Sequence, residues 1–93
     1  MQVLDPGHVY QLDSDQTLEF IKRTNGELVH GGTTNEELLR VLINRTEYLD
    51  AKFPCEENKN ALQDMVDALY WFTQRTIKRV EQGVETKDIA HVS

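Results

Sequence analysis

The sequence predicts an α+β fold, an N-terminal antiparallel β-hairpin followed by a long antiparallel helical hairpin, assembled as an oligomer. Three observations predict it. Short alternating runs of polar and apolar residues give way, near Gly31, to two long segments with a 3–4 apolar repeat. Pro54 separates those two segments, because the residue before a proline is pushed out of the α region. Each segment also carries a wider apolar stripe than one partner helix can cover.

The elements follow in order. His8-Val-Tyr-Gln-Leu-Asp13 reads as a strand with Tyr10 and Leu12 on one face. Thr17-Leu-Glu-Phe-Ile-Lys22 reads as the next, with Leu18 and Phe20 together, and Ser14-Asp15-Gln16 as the turn between them. This hairpin, residues 8–23, is marginal alone and needs the helices or a neighbouring subunit. Thr24 to Gly32, with Gly26, Gly31 and Gly32, reads as a flexible connection.

Helix one spans 34–53. Either Thr33 or Thr34 caps it, since Glu36 and Glu37 each stand three residues after one of them. Leu38, Leu42, Arg45 or Thr46, Leu49 and Phe53 form its stripe, widened by Leu39, Val41 and Ile43. Helix two spans 56–82, with Gly83 as C-cap and a core line of Leu62, Met65, Val66, Leu69, Phe72, Thr76, Ile77 and Val80. Tyr70 and Trp71 lie off that line. Residues 84–93 read as a flexible tail, and the whole of 1–93 as one domain.

Composition bounds the function. At 93 residues the chain buries only about 60–65% of its unfolded surface, so self-association helps it. No stretch approaches a membrane span, and Met1-Gln-Val-Leu-Asp-Pro lacks the features of a signal peptide. A single cysteine, Cys55, precludes an internal disulfide and fits a reducing cytoplasm. The net charge of −6 argues against binding duplex nucleic acid, though not against a small anion in a local basic pocket. His8, His30 and His91 show no metal-ligand spacing. Cys55 has no partner histidine in sight, and Glu56-Glu57 and Asp64/Asp67 read as solvated charge. The expectation is therefore a binding protein rather than an enzyme, without cofactor or metal.

Arg75, Lys78 and Arg79 are the most suggestive cluster. Arg75 and Arg79 stand four residues apart on one helix face and can grip one anion together. From spacing alone they better fit a plainer role, offsetting the helix macrodipole and pairing with surface acids. Arg23 is another guanidinium, after the second strand. Tyr48 fits a core or interface position as well as a stacking platform, and Asn58 fits a cap of helix two.

Gly32-Thr-Thr-Asn-Glu-Glu-Leu-Leu-Arg-Val-Leu-Ile-Asn-Arg-Thr-Glu-Tyr-Leu49, Pro54-Cys-Glu-Glu-Asn58 and Ala68-Leu-Tyr-Trp-Phe-Thr-Gln-Arg-Thr-Ile-Lys-Arg79 resemble phage-encoded Thoeris anti-defence proteins. The Val9–Leu12 and Thr17–Arg23 hairpin resembles that family's N-terminal part, so the resemblance covers most of 7–82; the helical hairpin also resembles phage anti-CBASS sponges. The resemblance implies a hexameric sponge in the host bacterial cytoplasm that sequesters immune signalling nucleotides without cleaving them. It places Tyr48, Asn58 and Arg79 in a pocket for cyclic ADP-ribose isomers. It places Arg23 and Arg75 in a separate site for cyclic di- or trinucleotides, with Arg79 able to serve either. Tyr48 stands where some members carry Phe, which leaves a hydroxyl needing a partner or water. The competing reading is a small helical inhibitor that docks on a host protein and binds no nucleotide.

Overall fold

The computed structural model describes residues 1–82. The expected Gly83 cap, the 84–93 tail and His91 lie outside the described residues. Within them the order is β1 (Gln2–Asp5), β2 (Val9–Gln11), β3 (Thr17–Glu19), β4 (Lys22–Thr24), β5 (Glu27–His30), α1 (Asn35–Lys52) and α2 (Glu56–Glu81). The class is α+β, with a larger β part than expected: a three-stranded sheet β1-β2-β3 and a two-stranded sheet β4-β5, all pairs antiparallel.

The expected hairpin is β2–β3, with Tyr10 opposite Leu18. Tyr10 also meets Phe20 edge-on, ring centroids 5.9 Å apart. The strand expected over Thr17–Lys22 breaks after Glu19: Phe20 N–H still donates to His8 O at 2.7 Å, but from there the chain turns to pair with the segment entering α1. Thr33 N–H donates to Glu19 O at 2.9 Å and Ile21 N–H to Thr33 O at 3.0 Å. Gly32 makes this approach possible: a Cβ there would stand 2.5 Å from Glu19 O and 2.6 Å from the Phe20 carbonyl carbon.

The stretch expected as a flexible connection is instead ordered. Asn25 (φ 54°) and Gly26 (φ 81°) fold β5 back on β4. Both positive φ values are what a two-residue hairpin turn asks for, and Asn-Gly supplies them at least cost. Asp5 on β1 ties the two sheets together by accepting from Lys22 Nζ at 2.8 Å. The Lys22 hydrogen bond holds the Asp5 carboxyl below the usual carboxylate range, against some loss of hydration.

Thr34, not Thr33, caps α1, accepting from Glu37 N–H at 3.2 Å. Cys55 caps α2 through its sulfur, which accepts from Asn58 N–H at 3.4 Å. Asn58 is therefore inside the helix rather than its cap. The helices pack on each other through half-buried lines, Leu39, Ile43, Thr46 and Asp50 on α1 and Asn58, Leu62, Met65, Leu69, Phe72 and Thr76 on α2. The α1 line runs beside the expected stripe, whose Leu42, Leu49 and Phe53 are 41, 37 and 79% exposed. Both helices carry adjacent apolar lines, and one partner helix covers only one of them.

No described residue is fully buried, and neither sheet rests on a helix. The radius of gyration, 15.9 Å, exceeds the roughly 12 Å of a compact domain of this length. The apolar surface left by one chain is therefore the dominant physical feature of the molecule.

Candidate ligand-binding faces

Two shallow grooves run along the outer faces of the helical hairpin. On α1, the 3–4 spacing of Glu37, Arg40, Val41, Asn44, Arg45 and Tyr48 puts them on one face, where they line a groove. On α2, the same geometry gathers Tyr70, Trp71, Gln74, Arg75 and Lys78. Each groove combines an aromatic ring, a guanidinium and an amide, the chemistry that stacks a base, holds a phosphate and reads a polar edge.

The α2 groove is the better supplied with free charge. Arg40 in the α1 groove spends its charge on Glu37, 3.6 Å away. Among the described residues, Arg23, Arg45, Arg75, Lys78 and Arg79 form no ion pair, although the chain has an excess of acids. Lys78 and Arg79 lie in the last turn of α2 and so can offset its macrodipole. Arg75 stands more than a turn before Glu81, where that effect has faded. Tyr70 and Trp71 pack edge to face, centroids 5.1 Å apart, with Trp71 68% exposed. That leaves a large indole face open beside a free guanidinium.

The residues singled out from the sequence fall in different places. Tyr48 projects from α1, 58% exposed, with Lys52 Nζ 4.7 Å from its ring centroid. A base stacking on that side of the ring must displace Lys52. Asn58 lies half-buried at the start of α2, its N–H donating to Cys55 Sγ. It does not line the groove that holds Tyr48. Arg79 is half-buried on the α2 seam line, while Arg75 is exposed on the outer face. Arg23 is half-buried on β4, opposite Leu28 of β5. The sequence reading passed over Trp71 and Gln74 as ligand-facing residues, although their spacing to Arg75 and Lys78 was visible. It also passed over Arg40, Asn44 and Arg45 beside Tyr48.

Asp50 organises the tip of the hairpin. Its carboxylate accepts from Cys55 N–H at 3.1 Å and from Lys59 Nζ at 2.9 Å. The Lys59 hydrogen bond, then the Cys55 amide, hold its carboxyl below the usual range. No group of three metal-ligating side chains gathers among the described residues, and no described helix is long and apolar enough to cross a membrane.

Fold and faces together define an α+β helical-hairpin protein whose chemically versatile side chains lie on open helix surfaces. The chain is 39% identical over 59 residues to Thoeris anti-defense 1 of Bacillus phage SBSphiJ7. The match covers 60% of this chain and 42% of that protein, so the chain spans less than half the length of this curated relative. No protein-family model and no solved structure matches it.

Proposed function

We propose that the protein is a phage anti-defence sponge, which blocks Thoeris immunity by binding and sequestering its signalling nucleotides without cleaving them. The observation that carries this reading is the 39% identity to a phage Thoeris anti-defence protein. The faces support the ligand class. Arg75, Lys78 and Trp71 offer an anion with an adenine a guanidinium, an ammonium and a flat ring, none of them committed to an acid among the described residues.

On this reading Tyr48, Asn58 and Arg79 serve a cyclic ADP-ribose isomer, and Arg23 and Arg75 serve cyclic di- or trinucleotides, with an extension to CBASS signals. Tyr48 and Asn58 lie on different sides of one hairpin, so a pocket using both is completed by another copy. The working unit is accordingly a homo-oligomer, a hexamer on the resemblance, acting in the host bacterial cytoplasm.

The test is a capture assay. The protein is incubated with a panel of cyclic nucleotides, filtered, heated, and the released ligand identified by mass spectrometry. Recovery of an intact cyclic nucleotide in stoichiometric amount is expected. Recovery of hydrolysis products would make it an enzyme instead. Retention of no nucleotide would favour the helical inhibitor of a host protein, for which the exposed Leu42, Leu49 and Phe53 would offer a docking face.

A further inference from the structure

The turn between β4 and β5 is Asn25-Gly26, and of the five asparagines in the chain only Asn25 precedes a glycine. A glycine has no side chain to keep its backbone nitrogen away from the carboxamide of the residue before it. Asn35, Asn44, Asn58 and Asn60 each precede a larger residue and lie inside α1 or α2. There the helical backbone fixes the following nitrogen away from the carboxamide.

Asn25 is exposed, at φ 54°, with Gly26 at φ 81°. Thr24 stands opposite Glu27, so the two residues form the mirror image of a type I turn, in which the first has ψ about 30°. That angle sets the Gly26 nitrogen nearly opposite the Asn25 Cβ about the Cα–C bond. A five-membered ring joining that nitrogen to Cγ needs the two eclipsed. The closed turn therefore withholds a reaction that its own sequence invites.

The turn is only lightly held. β4 and β5 are three and four residues long and pack on each other alone, and Leu28 and Val29 are 55 and 56% exposed. The ties to the rest of the chain are at the base, Lys22 to Asp5 and Ile21 to Thr33. A two-stranded hairpin of this kind opens locally at little cost.

We propose that Asn25 is a site of spontaneous modification, deamidating through a cyclic imide with Gly26 whenever the β4–β5 turn opens. The Gly26 nitrogen gives up its proton and bonds to Cγ, the Cγ–Nδ2 bond breaks, and that nitrogen leaves as ammonia. Water then opens the imide. Attack at Cγ leaves aspartate, and attack at the backbone carbonyl leaves isoaspartate, whose chain runs through Cβ and Cγ. Nothing is oxidised or reduced: one water enters and one ammonia departs. Aspartate keeps the turn, because it tolerates positive φ as asparagine does, and it puts a negative charge two residues from Arg23. Isoaspartate lengthens the backbone by one atom, so Thr24 and Glu27 no longer close a two-residue turn.

The test is ageing of the purified protein at mildly alkaline pH, folded and in urea, followed by tryptic digestion and mass spectrometry. The peptide Thr24–Arg40 carries both Asn25 and Asn35, so its fragment ions report site and control from one sample. A gain of one mass unit is expected at Asn25 alone, part of it as isoaspartate detected by enzymatic methyl transfer. It should be about ten-fold faster in urea than in the folded chain. In urea, where turn geometry no longer matters, Gly26→Ala should slow it. No gain at Asn25 in either state, or an equal gain at Asn35, would overturn the site. Equal rates in the folded chain and in urea would overturn protection by the turn, and an unchanged rate for Gly26→Ala in urea would overturn the role of the glycine.

Discussion

Asp50 and Lys59 close the helical hairpin across its tip, Nζ standing 2.9 Å from Oδ2 while the other carboxylate oxygen accepts the Cys55 N–H. The two residues sit at the end of α1 and the start of α2, so one carboxylate fixes the reversal of direction and supports the cap of the second helix. Phe53 to Cys55, the whole connection, depends on it.

The clasp is expected to depend on pH. The folded carboxyl of Asp50 titrates below its unfolded value, which is about 3.9. Its contribution is therefore complete above that value and is lost as pH falls through the lower folded one. Denaturation of the wild type and of Asp50→Asn should show a constant stability gap above about pH 5 that narrows toward pH 3. A gap that does not change between those limits would mean that the carboxylate charge contributes nothing.

Gly31 and Gly32 should behave oppositely. Nothing stands within 4 Å of a Cβ at Gly31, whereas one at Gly32 meets the backbone of Glu19 and Phe20. Gly32→Ala should cost about 1–3 kcal/mol, as overpacking does, and Gly31→Ala close to nothing. Urea denaturation of the two variants checks this. Equal effects would show that the linker does not hold its place against β3.

The two proposed ligand sites should separate by mutation. Tyr48→Ala is expected to weaken a cyclic ADP-ribose isomer and spare cyclic oligonucleotides, and Arg75→Ala to do the reverse, more visibly at low salt. Each loss should be about 5- to 150-fold, from the loss of a stacked ring or a charged hydrogen bond. Isothermal titration of both variants against both ligand classes measures it. Equal weakening of both classes, with assembly unchanged, would mean one shared pocket.

Thermal stability should rise with protein concentration. With no described residue buried, a core is gained on the proposed association, and mass action then ties the melting temperature to concentration. Melting by circular dichroism from about 1 to 100 μM (roughly 2.7 kcal/mol of mass action for a hundred-fold change) should shift the midpoint upward by several degrees. A midpoint independent of concentration would show that single chains are stable alone.

The helical half was legible because its signals are local. Thr34 with Glu37, and Pro54, mark boundaries whatever the rest of the chain does. The β4–β5 hairpin was equally marked by Asn25-Gly26, but three glycines in nine residues drew the reading toward flexibility. Which apolar line faces inward was not legible on α1. Leu38 beside Leu39, and Leu42 beside Ile43, satisfy two neighbouring lines, and the choice between them belongs to the packing on α2. The same limit applies to the site. Arg75 and Trp71 share a face by spacing alone. Whether Tyr48 and Asn58 share one depends on how the chain turns between them, and the turn sends one outward and the other into the seam.

Each element of this chain pairs with its immediate neighbour in sequence: β1 with β2, β2 with β3, β4 with β5, α1 with α2. The loops that must close are therefore short, and chains of this kind form their internal contacts quickly. If copies assemble as proposed, what remains is the meeting of separate molecules, a second-order event. Refolding followed by secondary structure should thus finish early and at a rate indifferent to dilution, while the change in tryptophan emission as surfaces come together slows in proportion to the chains present. On the proposed assembly the clock of folding is set by encounter, and its half-time in a cell is a function of how much of the protein has been made.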